Sequence, residues 1–274
     1  MSKIIITAAI SGAEVTQEMN PAVPYTVDEF VREAKSAADA GAAIIHLHAR
    51  HDDGTPTQDK ERFRQLIDAI RDACPTVIIQ PSTGGATGMT ATERLQPTEL
   101  NPEMASLDCG TMNFGGDEIF VNTENMIIEF AARMRERNIK PELECFDKSH
   151  IDMAMRLVNL GHIDRPLHFN LVLGVNGGAA ATPRDLLFMR HSLPADASFT
   201  VTAMGRQQLP LNVMAMAMGG HPRTGFEDNL QYSRRVNATS NGELVARLVR
   251  IAKEMNLAIA SPDEAREMLQ LPAR

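Results

Sequence analysis

Two histidines separated by one residue, His46-Leu47-His48, close the apolar run Ala42-Ala43-Ile44-Ile45 that follows Gly41. An apolar run bounded by glycine reads as a buried strand. Side chains alternate faces along a strand, so the two imidazoles share a face at its C-terminal end. Such a pair suits a divalent metal, Zn²⁺ most simply, which needs at least one further ligand. The other reading is a hydrogen-bonded core histidine beside an unrelated one, and the spacing alone does not separate the two.

A candidate third ligand stands far along the chain, in Gly219-Gly220-His221-Pro222-Arg223-Thr224-Gly225-Phe226-Glu227-Asp228-Asn229. Glu227 would complete a His₂Glu set that leaves positions open for substrate. Asp228 and Arg223 would then flank the metal as an acid/base and its charge partner. Taken alone, Glu-Asp-Asn is also an ordinary helix N-terminus. Other polar residues follow apolar runs. Glu14, in Ser11-Gly12-Ala13-Glu14, reads by itself as a surface residue. Ser82-Thr83-Gly84-Gly85 is either a tight turn or a pair of hydroxyls beside backbone N–H groups turned to an anion. Ser106, Asp108, Gly110 and Asn113 come next. Glu142 and Glu144 share one strand face; so do His168 and Asn170, which need hydrogen-bond partners if buried. The loop Gly174 to Gly178 is a candidate for the nucleotide end of a large substrate.

Such residues need a scaffold that gathers distant segments. Eight strand-like runs alternate with amphipathic stretches: Lys3 to Ile10, Ala43 to His48, Val77 to Pro81, Ala105 to Cys109, Pro141 to Phe146, Leu167 to Leu173, Phe199 to Ala203 and Val213 to Met218. Thr26-Val27-Asp28-Glu29 is a capping box before a helix ending at Gly41, and Thr90 to Glu93 and Ser240 to Glu243 repeat it. Asp59 opens a helix with Phe63, Leu66, Ile67 and Ile70 on one face. Thr182-Pro183 and Ser261-Pro262 put proline at a first helical position. Eight βα units in about 250 residues are the pattern of an α/β fold, the (β/α)₈ TIM barrel, whose chemistry sits at strand C-terminal ends. A doubly wound open sheet is the alternative, and the first βα turn lacks the GxGxxG that would favour it. Nothing linker-like divides the chain, so residues 1–274 are expected to form one barrel domain with an extra C-terminal helix from Asp263 onward.

The chain is 43% hydrophobic, enough for a sizeable core. No apolar run reaches about 18 residues, so no transmembrane helix is expected. A net charge of −8 without a basic stripe argues against nucleic acid and anionic membranes as partners. Cys74, Cys109 and Cys145 are far apart and form no CxxC, which argues against disulfides or a cysteine zinc site. The N-terminal run lacks the parts of a signal peptide. The expected location is a reduced, cytoplasmic one.

Several motifs stand in a telling order. They are Ile6-Thr7-Ala8-Ala9-Ile10 leading to Gly12-Ala13-Glu14, Ala40-Gly41-Ala42 leading to His46-Leu47-His48-Ala49-Arg50, and Ser82-Thr83-Gly84-Gly85. Pro102-Glu103-Met104-Ala105-Ser106-Leu107, Asn113-Phe114, Glu142-Leu143-Glu144 with Phe146-Asp147, and Gly219 to Asn229 complete the series. Over essentially its whole length the chain thereby resembles the β-keto acid cleavage enzyme family. The resemblance implies a (β/α)₈ barrel with a catalytic divalent metal, normally zinc, on His46, His48 and Glu227, though iron, cobalt or manganese suit that set. It implies acetyl-CoA as co-substrate: a β-keto acid and acetyl-CoA give acetoacetate and a new acyl-CoA. Asp228, paired with Arg223, would remove a C2 proton; Claisen attack on the thioester and retro-Claisen cleavage would follow. By family position Ser82, Gly84, Gly85, Ser106 and Asp108 would hold the substrate carboxylate, and Glu14 would line the same pocket.

One departure stands out. The family often has a neutral amide at the position of Asp108, and a carboxylate there repels an anionic substrate unless protonated or paired. Glu142 or Glu144 offers a counter-charge for a cationic far end, as in an amino or trimethylammonium keto acid. A homo-oligomer is expected, a tetramer by resemblance. Two other readings compete: a metal-dependent hydrolase or aldolase acting without CoA, and a non-catalytic ligand-binding barrel. The joint presence of His46, His48, Glu227, Arg223 and Asp228 argues against the last.

Overall fold

The structure, a computed structural model, describes residues 3–272. Eight parallel strands form its central sheet: β1 (Thr7–Ala9), β2 (Ile44–Leu47), β3 (Ile78–Pro81), β4 (Met104–Asp108), β5 (Lys140–Cys145), β6 (His168–Leu173), β7 (Ser198–Ala203) and β8 (His221–Thr224). Their spatial order is β3-β2-β1-β8-β7-β6-β5-β4. Strands consecutive in sequence lie side by side, as short crossovers through helices require. β3 and β4 meet at the last seam, where side chains replace a backbone ladder. Thr83 N–H donates to Ser106 Oγ at 3.1 Å, and Thr83 Oγ1 donates to the Ser106 carbonyl at 2.7 Å. The result is a nearly closed TIM barrel.

Each strand is followed by a helix on the outside: α1 (Val27–Ala40), α2 (Lys60–Ala73), α3 (Ala91–Leu95), α4 (Glu124–Glu136), α5 (Lys148–Asn159), α6 (Pro183–His191), α7 (Gln208–Ala217) and α8 (Asn241–Glu254), with α9 (Pro262–Leu269) added. Local signals set the helix ends. Thr26 and Glu29 cap one another's backbone at the start of α1, and Gly41 ends it at φ 118°, where a side chain would be strained. The Thr90–Glu93 box also forms. At α8 only half of the box forms, because Glu243 takes the Thr239 N–H at 2.7 Å. Phe63, Leu66, Ile67 and Ile70 of α2 are buried together.

Alternation along the strands divides the interior in two. Ile45, Leu47, Ile79, Leu107, Leu143, Phe169, Leu171 and Val201 pack outward against helices. His46, Gln80, Glu142, His168, Asn170, Thr200 and Arg223 turn inward and are equally buried. The barrel lumen is therefore a hydrogen-bonded polar core. Below it, Ile5, Ile44, Ile78 and Met104 pack on Ala265 and Leu269 of α9.

Three strand expectations are corrected. Val213 to Met218 is not the eighth strand; it lies in and just after α7, with Leu211, Asn212, Ala215 and Met216 buried at helical spacing. A short apolar run does not by itself distinguish the two periods. The true β8, His221-Pro222-Arg223-Thr224, escapes notice because its inward side chains are polar and Pro222 breaks the pattern. Lys3 to Ile10 is not continuous. Lys3–Ile4 pairs with Ala258–Ile259, Ile5 N–H donates to His221 Nδ1 at 3.2 Å, and only then does β1 begin. β2 stops at Leu47, so His48 sits one residue beyond it.

Just past β8, Gly225 has φ 139°, and a Cβ there would stand 2.1 Å from the Ala9 carbonyl oxygen. Gly225→Ala is therefore expected to cost on the order of 3 kcal/mol and to lower the thermal midpoint by roughly 5–10 °C. A melting curve unchanged within a degree would contradict this.

Candidate active site

The mouth of the barrel at the strand C-termini holds three converging ligand groups. His46 at the end of β2, His48 just after it and Glu227 after β8 offer atoms that all lie within 4.8 Å of one another. The Nε2 atoms of His46 and His48 stand 3.7 and 3.6 Å from the Glu227 carboxylate oxygens. Ligands 2.0–2.1 Å from a tetrahedral zinc stand roughly 3.3 Å apart, so the trio needs little adjustment. The rings meet edge to face, with centroids 5.4 Å apart. Burial, then the positive charge of Arg223, holds His46 well below its usual pKa, and the same causes push His48 down to about 3. Both imidazoles are thus neutral, the form that ligates.

Glu227 approaches because residue 12 is glycine; a Cβ on Gly12 would lie 2.6 Å from Glu227 Cγ. Burial above all pushes the Glu227 carboxyl up to about 8, with Asp228 and Asp108 adding to the rise and Arg223 opposing it. Its Oε2 is buried and accepts no hydrogen bond. Two neutral imidazoles and a carboxyl with a buried, unused oxygen, which a bound cation would hold ionised, fit a divalent cation.

Arg223, on β8, is the hub beside them. It donates from Nε to Asp228 Oδ2 at 3.1 Å, from Nη2 to Asp228 Oδ1 at 3.0 Å, and from Nη2 to Glu227 Oε1. Its Nη1 reaches Glu144 Oε1 at 3.4 Å. Burial opposes its charge, but Asp228, then Glu227 and Glu144, outweigh that and raise it well above its usual value. Asp228 lies behind Arg223 with its side chain 0% exposed. Burial raises its carboxyl and Arg223 pulls it down.

A cavity of about 240 Å³ opens above this cluster. Glu14, His48, Ser82, Gly84, Gly85, Asp108, Glu144, Arg223 and Glu227 line its polar side. Ser106 and Asp228 lie outside the lining. Ser106 is fully buried and spent on the β3–β4 seam. The Gly84 N–H donates to Ser82 Oγ at 3.0 Å, so that donor is already engaged. Glu142 sits one layer deeper than Glu144, against Gln80 at 2.9 Å. The apolar side is built from Phe114, Phe120, Phe146, Val172, Val175 and Met204. Phe114 and Phe120 come from a hairpin, Met112–Phe114 with Glu118–Phe120, too short to show in the sequence pattern.

Asp108 has a partner that sequence reasoning missed. Arg94 of α3 folds inward and donates from Nη2 to Asp108 Oδ2 at 3.2 Å, with both side chains 2% exposed. It also donates to the carbonyls of Thr83 and Val121 at 2.8 and 2.9 Å and to Asn122 Oδ1 at 2.6 Å. Burial raises the Asp108 carboxyl, and Arg94, followed by a hydrogen bond from Glu144, lowers it. Burial, then the charge of Asp108, pushes the Glu144 carboxyl well above its usual value, against the pull of Arg223. Asp108 is thus the carboxyl paired with Arg94, and Glu144 is the one pushed up beside it.

Comparison with known proteins gives a family and a fold. The family described as beta-keto acid cleavage enzyme matches residues 3–271. Over 269 residues, 98% of each chain, the sequence is 66% identical to the 3-keto-5-aminohexanoate cleavage enzyme of Acetoanaerobium sticklandii. It is 38% identical over 272 residues, 98% of this chain and 95% of the relative, to the 3-oxoadipate:acetyl-CoA acetyltransferase of Cupriavidus necator. The apo structure of ObcA superposes with a TM-score of 0.80 at 20% identity, covering 92% of this chain and 66% of that one, a likeness of fold alone.

Proposed function

Because the chain belongs to the β-keto acid cleavage enzyme family, we propose that it condenses a β-keto acid with acetyl-CoA and releases acetoacetate and a new acyl-CoA. What carries the reading is convergence: His46, His48 and Glu227 offer atoms within 4.8 Å of one another, His48 and Glu227 line the cavity, and the Arg223–Asp228 pair stands beside them.

His46, His48 and Glu227 would hold a divalent cation, zinc first, whose Lewis acidity toward substrate keto and carboxylate oxygens makes a C2 proton easier to remove. Asp228 takes that proton on a carboxylate oxygen. Both of its oxygens are engaged by Arg223, so the guanidinium must release one, at about 1.5–3 kcal/mol for a charge-assisted hydrogen bond. Ser82 and the Gly84–Gly85 turn orient the substrate from the opposite wall. So held, C2 bonds to the acetyl carbonyl carbon as the C–S bond breaks and CoA leaves as thiolate. The thiolate sulfur then bonds to C3 as the C2–C3 bond breaks, and Asp228 returns its proton to C2. The residues end as they began.

The far end of the substrate is assigned to a cation. Glu14 lines the cavity, and the most similar relative reported above carries an amino group in its substrate's name. A cationic keto acid such as a 5-amino-3-keto acid meets Glu14 favourably, and an anionic one does not.

The test is a product screen. Protein loaded with Zn²⁺ is mixed with acetyl-CoA and cationic, neutral and anionic β-keto acids, and acetoacetate and acyl-CoA are followed by mass spectrometry. Acetoacetate is expected only when acetyl-CoA is present, and fastest with the cationic acids. Consumption of keto acid without thioester would favour a hydrolase or aldolase instead. Chelator treatment is expected to lower the rate by at least about 100-fold, with Zn²⁺ or Co²⁺ restoring it. A rate indifferent to chelation would remove the cation from the mechanism.

A further inference from the structure

Behind His46 a chain of polar side chains crosses the barrel lumen. His46 and Gln80 are register partners on β2 and β3, so their side chains stand side by side. His46 Nδ1 is 2.8 Å from Gln80 Oε1. Gln80 Nε2 donates to Glu142 Oε2, across from β5, at 2.9 Å. Glu142 Oε1 lies 3.2 Å from His168 Nε2, and His168 Nδ1 is 2.8 Å from Ser198 Oγ. None of His46, Gln80, Glu142 or His168 is more than 2% exposed. A glutamine in this closed lumen has no solvent to bond, so each of its ends must be matched by protein.

We propose that Gln80 and Glu142 are positioning residues for the cation site: Glu142 fixes which end of the Gln80 amide faces His46, and that end fixes the His46 tautomer. The inference rests on the cation-binding reading. An amide has two ends of nearly equal shape, one accepting and one donating. Glu142 is an acceptor, so it draws the NH₂ end to itself and leaves the oxygen for His46. The oxygen requires a proton on His46 Nδ1, which leaves the Nε2 lone pair free beside Glu227. Were the amide reversed, the ring proton would move to Nε2 and block ligation. Outer partners of this kind commonly set metal affinity.

Zinc affinity of the whole protein, read by competition with a chromophoric chelator, tests this without any substrate. Glu142→Gln keeps volume but loses the pure acceptor, and roughly 10–100-fold weaker zinc binding is expected. The double variant Gln80→Glu/Glu142→Gln exchanges the two groups. Glu at 80 still accepts from His46 Nδ1–H, and Gln at 142 donates to it, so affinity should return to within about threefold of the parent. A packing role predicts the reverse: a near-isosteric Glu142→Gln that is harmless. Should Glu142→Gln not fold, Gln80→Leu supplies the same expected loss with the acceptor removed. Parent affinity in the single variant, or no recovery in a folded double variant, overturns the proposal. A parent that takes no zinc from the chelator overturns this proposal together with the cation reading, whereas a zinc-binding parent with indifferent variants overturns this one only.

Discussion

Asp228→Asn is expected to lower kcat for acetoacetate formation by about 10²–10⁴-fold, the usual worth of a positioned general base. Asparagine keeps the shape and one acceptor toward Arg223, so the Arg223 contacts to Glu227 and Glu144 survive and KM should move little. The loss should also persist at saturating Zn²⁺, because Asp228 is not among the converging ligand groups. Retention of the parent kcat would relocate the proton transfer. Glu144 is then the group to examine, since it is the acid on Arg223 that lines the cavity without belonging to the converging ligand trio. Its Gln variant would carry the loss instead.

Arg94→Met should cost about 3–5 kcal/mol of stability, because it strands the buried Asp108 carboxylate without its counter-charge. For a chain of this size that is a fall in melting temperature on the order of 10 °C. The long methionine side chain keeps much of the packing beside Phe120 and Phe130, over whose rings the guanidinium lies at 4.8 and 5.2 Å. Adding Asp108→Asn should recover a substantial part of the stability, since a neutral amide is far cheaper to bury than an unpaired charge. A single variant that loses less than about 1 kcal/mol would show that the pair contributes little beyond its own desolvation. The pairing also resolves the departure at Asp108. The carboxylate brings its cation with it, so a substrate carboxylate held, as proposed, at the Ser82–Gly85 turn would not meet a bare negative charge.

What was legible in the chain and what was not follows from side-chain reach. His46, His48, Glu227 and Asp228 are short groups held close to the backbone at strand ends, so spacing and barrel logic suffice to gather them. Arg94 gave no signal. In Thr-Glu-Arg-Leu it reads as a solvated helix residue, and only its long stem lets it turn inward to four acceptors. Gln80 hid inside the apolar run Ile78-Ile79-Gln80-Pro81 because a lumen of polar groups reverses the usual rule for a strand interior. Motif position points Ser106 toward the substrate, whereas the β3–β4 seam takes both its hydroxyl and its carbonyl. The eighth strand is hard to read for a related reason: its inward residues, His221 and Arg223, are polar, and the apolar run before it belongs to α7.

That seam sits directly under the cavity. Ser82 and Gly84 stand on its β3 bank and Asp108 on its β4 bank, and Arg94 reaches both through Thr83 and Asp108. A ligand gripped by both banks is mechanically a rivet across the one joint that lacks a backbone ladder among the described strands. Occupancy and closure of the barrel then share a single free-energy term, and the machine is at its stiffest when it is loaded.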